Sequence, residues 1–231
     1  IVERLLDELT EEERSSVIGV GIGAPGPLSI RSGRFLAPPS YGDWEDLAIG
    51  REIEARVGLP TSVDNNANAA ALGELWFGAG QGLRNFVLLT VGTGVGAGLV
   101  LDGDLYRGDH DLAGEIGHVS IAMDGPRCAC GNYGCLEMYI SVPRILGAVR
   151  AAIATGEPTL LRTTSAPDSA NASQAPEGGS FAPQQELTLS MIIEAAEQGD
   201  ALSQRILADV ARYLTAGLVN IINTLDPELV L

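Results

Sequence analysis

Apolar residues fall along the chain in short runs of two kinds, and the alternation between them sets the expected fold. "VIGVGIGAPG" (17–26) is a β-rich run closed by a turn, and "LSIRSGRFL" has the pattern of a small hairpin turning near Gly33. "WEDLAIGREIEARVG" carries helical spacing, with Gly58 as its C-terminal stop and Pro60 just beyond. A short strand, "PTSV", then feeds "DNNANAAALGELWFGAG", whose alanine run predicts a helix beginning near Asn66. "NFVLLTVGTGVGAGLVLDGDLYRG" reads as two apolar strands joined by a glycine-rich turn, with a second turn at Asp102 and Gly103. At the start, "IVERLLDELTEEERSSV" predicts one amphipathic helix with Leu5, Leu6 and Leu9 on a common face. Towards the end, "LTLSMIIEAAEQGD" and "ALSQRILADVARYLTAGLVNIINTL" are helices separated at Gly199 and Asp200, and "DPELVL" opens a strand. Strands alternating with helices make the class α/β.

The pattern lapses between about 155 and 187, where "TTSAPDSANASQAPEGGSFAPQQ" reads as a flexible insertion with too little apolar surface to offset its ordering entropy. With a helix already under way at Ile1 and a strand just opening at Leu231, the chain is expected to be an interior piece of a longer protein, cut at both ends. Its 231 residues suffice for a sizeable core. No apolar run reaches the roughly 18 residues of a membrane span and no signal peptide opens the chain, so a cytoplasmic setting without membrane association is expected.

Charge narrows the chemistry. The formal net charge is −16 and all fourteen basic residues are arginine. Such a chain is poorly suited to gripping a phosphate backbone, and the absence of lysine excludes a P-loop. The three cysteines all fall within "CACGNYGC" (128–135), ten residues after the histidine of "GEIGH". Three thiols in one loop make a poor disulfide framework, whereas Cys128, Cys130, Cys135 and His118 supply the four ligands of a closed, structural zinc site. Gly131 and Gly134 give that tight wrap its backbone freedom. The competing reading is three buried or free thiols, which without a metal would invite oxidation.

Glu115 precedes the histidine by three residues and Glu137 follows the last cysteine by two, so a metal would fix both. They read either as acceptors for the hydroxyls of a sugar or as ordinary surface glutamates. "TVGTGVGAG" (90–98) reads either as a phosphate cradle or as a tight turn; it is followed by a strand, which excludes the dinucleotide fingerprint. Asp64 is expected to cap the coming helix, and His110, in "GDHDL", to sit in a solvated loop without a role.

"GIGAPG", "DNNANAAALGE", "TVGTGVGAG", "AGEIGH" and "CACGNYGCLE" occur in this order, and together they resemble the ROK family of sugar kinases and sugar-responsive repressors. The resemblance covers nearly the whole chain apart from the insertion. It implies an actin/hexokinase-like (ribonuclease H-like) two-lobed fold, residues 1–84 belonging to the first lobe and 85–231 to the second, usually in a homodimer or higher assembly. It also implies Asn65, Asn66, Glu115, His118 and Glu137 as sugar-binding residues, and Gly92, Thr93, Gly94 and Gly96 as facing nucleotide phosphates. One position departs from the kinase pattern: Asn66 stands where family kinases carry the aspartate that takes a proton from the sugar hydroxyl. An amide cannot accept that proton near neutrality, so the roughly 10²- to 10⁴-fold contribution of a general base is lost, while hydrogen bonding survives.

The expected function is therefore the sugar-sensing, dimerising effector domain of a ROK-type transcriptional regulator, touching DNA only through a domain outside this chain. The alternative is an ATP- and Mg²⁺-dependent hexose or N-acyl-hexosamine kinase, and a third reading is a zinc-stabilised structural protein without a sugar ligand.

Overall fold

The computed structural model describes residues 1–35, 47–161 and 186–231. Two short helices, α1 (Val2–Asp7) and α2 (Glu11–Ser16), open the chain where one long helix was expected. The break has a local cause: the Thr10 hydroxyl accepts from the Glu13 amide while the Glu13 carboxylate accepts from the Thr10 amide, a reciprocal cap that starts a new helix. The common apolar face fails with it, for Leu6 is buried while Leu5 and Leu9 are exposed.

β1 (Val20–Ala24), the hairpin strands β2 (Leu28–Ser29) and β3 (Arg34–Phe35), α3 (Ile49–Val57) and β4 (Thr61–Asn65) follow. β1 and β4 run parallel with Ala24 opposite Asn65, and Ala24, Leu28, Phe35 and Val63 close a small core over them. Helix α3 ends at Gly58, whose φ of +69° makes the stop expected from the sequence. The stretch ahead of α3, from 36 to 46, lies outside the described residues, as do 162–185, the body of the expected insertion.

Helix α4 (Asn66–Phe77) begins at the expected residue, and its cap is Asn65, whose side-chain oxygen accepts from the Ala67 amide at 2.8 Å. Asp64, expected in that role, instead accepts from the Asn65 amide at 2.7 Å and from the Asn68 side chain at 3.1 Å. Then β5 (Phe86–Val91), β6 (Val95–Leu101) and β7 (Asp104–Tyr106) form a meander, with Asp102 and Gly103 both at positive φ in the second turn. The final strand, β8 (Leu229–Val230), adds parallel to β5, giving the order β7-β6-β5-β8.

Both faces of this sheet are covered, which is why its strands read as nearly continuous apolar runs. Phe86 and Val100 point to α4 and pack with Ala71; Val87, Ala97 and Leu99 point the other way, onto Ile221. Ala67 and Ala71 let α4 approach Gly96 and Gly98 of β6 closely. Ile221 belongs to the last long helix, and the run-up to it comprises α5 (Glu137–Ile140), α6 (Val142–Ala154), α7 (Leu189–Glu197) and α8 (Ala201–Leu225). α6, α7 and α8 share a core of Ile145, Val149, Ile192, Leu202 and Ile206. No described helix is long and apolar enough to cross a membrane.

Candidate functional site

Four pieces of the chain meet in a cleft of about 390 Å³: the β1–β2 turn with Pro25 and Gly26, the start of α4 with Asn65 and Asn66, the β5–β6 hairpin with Thr93, Gly94 and Gly96, and the wall formed by Glu115, His118, Ala129 and Glu137. Every residue expected to face a sugar is therefore in one place, and all of the expected phosphate-facing positions except Gly92 share it. Gly92 is engaged elsewhere: its amide donates to the Gly94 carbonyl and its carbonyl accepts from the Val142 amide at 2.8 Å, pinning the hairpin tip to α6.

Close approach shapes the floor of the cleft. A Cβ at Gly26 would stand 2.8 Å from the Asn65 side-chain nitrogen Nδ2 and 3.1 Å from a Glu115 oxygen, and one at Gly94 would stand 2.8 Å from a Glu137 oxygen. Any side chain at either position would push the polar groups apart. Glu137 is held in place because its Oε2 accepts from the Val95 amide at 2.9 Å. Burial pushes the Glu115 carboxyl above the usual carboxylate range; His118 opposes the rise and Glu137 adds to it.

Behind this wall lies the cysteine loop. A 3₁₀ turn, Ile116–His118, delivers the histidine, and the loop folds back so that Ile121 bonds Gly134 and Leu136 bonds Val119. Gly131 and Gly134 adopt φ of +94° and +63°, the freedom the tight wrap called for. The donor atoms of His118, Cys128, Cys130 and Cys135 all lie within 4.8 Å of one another, a cluster that could hold a metal ion. Cys128 and Cys135 are buried and Cys130 is exposed. Burial, with the sulfurs of Cys130 and Cys128 alongside, pushes the Cys135 thiol up to about 12. His118 links cluster and cleft: Nδ1 is 3.6 Å from the Cys128 sulfur while Nε2 is 3.9 Å from a Glu115 oxygen.

Two features escaped sequence reasoning. Arg107 grips Asp64 through Nε at 3.2 Å and Nη2 at 2.6 Å, forty-three residues apart in the chain, and no local pattern announces that pair. Gly26 was part of a quoted motif without being assigned to the site; a glycine at the end of a strand, beside a turn, was the available signal. His110 is exposed and outside the cleft.

Known proteins resemble the chain over most of its length. The chain is 33% identical over 219 residues to a putative xylose repressor of Caldicellulosiruptor, with 94% of this chain and 50% of that protein covered. It is 37% identical over 218 residues to a glucokinase of Halalkalibacterium halodurans, with 94% of this chain and 61% of that protein covered. Among solved structures, a ROK family transcriptional regulator homologous to the Escherichia coli MLC protein superposes with a TM-score of 0.76 at 36% identity, covering 99% of this chain and 54% of that one. The chain thus spans about half the length of the repressor and regulator, and its fold is the actin/hexokinase-like one. With the model of the ROK family matching residues 1–231 from end to end, and both repressors and glucokinases among its relatives, this chain is a member of the ROK family.

Proposed function

We propose that the cleft binds a sugar without phosphorylating it, and that the chain is the effector-sensing part of a transcriptional regulator. The observation that carries this reading is Asn66, at the first turn of α4 and on the cleft wall. A carboxamide there can donate and accept hydrogen bonds but cannot remove a proton. The adjacent carboxylate does not replace it, since Asp64 is outside the cleft lining and is occupied by Arg107, Asn68 and the Asn65 amide. Asn65, Asn66, Glu115, His118 and Glu137 would bind the hydroxyls, paired acceptors on one wall facing amide groups on the other.

Zinc fits the cluster behind the wall. Tetrahedral zinc, with bonds of about 2.3 Å to sulfur and about 2.0–2.1 Å to nitrogen, places two sulfurs about 3.8 Å apart and a sulfur and a nitrogen about 3.6 Å apart. Two of the six donor pairs stand at those separations, the Cys130–Cys135 sulfurs at 3.7 Å and the Cys128–His118 pair at 3.6 Å, and all six lie within 4.8 Å. With four protein ligands the ion would be structural, fixing the imidazole so that Nε2 presents to the cleft.

In this reading residues 1–84 and 85–231 belong to two lobes, with α4 in contact with β1 and β4 on one side and β5 and β6 on the other. Sugar would shift the interlobe arrangement by its differential affinity for two states. A homodimer would pass that shift to a DNA-binding domain outside this chain, a division that the strongly acidic charge favours. One observation supports the alternative, an ATP- and Mg²⁺-dependent sugar kinase: Thr93, Gly94 and Gly96 of the hairpin open into the same cleft.

Calorimetric titration with D-xylose, D-glucose and N-acetylated hexosamines tests the reading. Saturable binding of at least one, abolished by Glu115→Gln together with Glu137→Gln, is expected. Metal-loaded, folded protein that binds no member of the panel would contradict it.

A further inference from the structure

Loop 107–113, between β7 and the segment carrying Glu115, closes on itself where the Ala113 amide donates to the Arg107 carbonyl at 2.9 Å. It then grips the opposite side of the molecule twice. Arg107 clasps Asp64 at the end of β4, and Asp111 accepts from the Ile30 amide at 3.0 Å just past β2. The Asp64 carboxylate divides its oxygens between the two walls. Oδ2 takes the guanidinium, while Oδ1 takes the Asn65 amide and the Asn68 side chain, the latter only 2% exposed. On the other side, the Gly114 carbonyl accepts from the Ala97 amide at 2.9 Å, so Glu115 starts from a fixed point one residue later.

We infer that Arg107 is a positioning residue for the cleft: through Asp64 it sets the separation between the Asn65–Asn66 turn and the Glu115 wall. The geometry favours this over an incidental surface pair. Both partners are largely shielded, with side-chain exposures of 33% and 16%, and the guanidinium bonds with two nitrogens to one oxygen. A lysine there would keep the charge and a single donor direction, and would lose the two-nitrogen grip that orients the carboxylate. The inference rests on the sugar-binding reading for its functional consequence and on the geometry alone for the brace itself.

Two measurements separate these. Amide hydrogen exchange of the whole protein without sugar tests the brace: Arg107→Gln is expected to speed exchange at residues 65–67 and at 113–116 together, leaving α7 and α8 unchanged. Titration with D-xylose and D-glucose tests the consequence. For whichever sugar binds the wild type, Arg107→Gln should weaken affinity by about tenfold, Arg107→Lys should recover part of it, and Asp64→Asn combined with Arg107→Gln should cost little more than either alone. Metal content and melting temperature near wild type would show that the loss is one of positioning. Unchanged exchange on both walls overturns the inference whether or not any sugar binds. Unchanged affinity in Arg107→Gln for a sugar that the wild type binds overturns it too. Wild type that binds neither sugar contradicts the proposed function, and the exchange data still decide the brace.

Discussion

The two walls of the cleft are built by different means. On one, Asn65 and Asn66 sit where a strand passes into a helix, and the backbone itself aims them: β4 is fixed in register against β1 and α4 is seated on β6. On the other, Glu115, His118 and Glu137 come from a single 3₁₀ turn, a loop and a four-residue helix, with little regular structure to hold them. The contrast shows where a cross-link would add most. A side chain at a strand–helix junction inherits its position from regular backbone pairing, whereas the loop is tied only by scattered turns and isolated bridges such as Ser120 with Cys135, so a bound metal would add most there.

Breaking the wall that carries the cysteine cluster should have the largest effect. Cys135→Ser, or chelation of the native protein, is expected to lower the melting temperature by on the order of 10 °C and to abolish sugar binding. Elemental analysis should find about one zinc per chain in the wild type and none in the variant. A metal-free preparation that keeps its melting temperature would erase the contrast between the walls.

Asp200 provides a control away from both. It caps α8 through Ser203 and holds Leu160 and Thr159, at 4% exposure. Burial tends to raise its carboxyl, but the hydrogen bonds from Ser203, Leu160 and Thr159 outweigh it and hold the group below the usual aspartate range. Because the folded value is the lower one, the stabilisation is complete above the ordinary 3.8 and is lost as the pH falls from there through the folded value. Asp200→Ala should cost about 2 kcal/mol at neutral pH, a difference that shrinks in acid denaturation below that window, with sugar affinity untouched.

Asn65→Ala sharpens the comparison from the other side. Losing the α4 cap should cost about 1 kcal/mol, or roughly 2–4 °C, because the strand and helix remain; a loss as large as that of Cys135→Ser would show that the junction is no better held than the loop. The smallest effect is expected at Thr10→Ala, where an exposed cap between two short helices should be worth about 0.5 kcal/mol by thermal melts.

Legibility in the sequence followed the same division. The cysteine–histidine cluster was readable because three of its members lie within eight residues and the fourth is ten residues upstream. The sheet was readable because both of its faces are buried and its strands are unbroken apolar runs. The break at Thr10 was visible as a Thr-x-x-Glu signature but was overridden by the leucine spacing around it. The choice of Asn65 over Asp64 as helix cap was not readable: either side chain can cap, and Asp64 is engaged by Arg107, from a distance in sequence that no local pattern spans. The close approaches at Gly26 and Gly94 likewise depend on segments that meet only in the folded chain.

An amide at Asn66 would leave a cleft that recognises a sugar and does not transform it. The most direct test is to incubate the protein with ATP, Mg²⁺ and the sugar that binds most tightly, and to look for the sugar phosphate by mass spectrometry. Binding with no product above background is expected. Product that forms with the wild type and disappears in Asn66→Ala would contradict it.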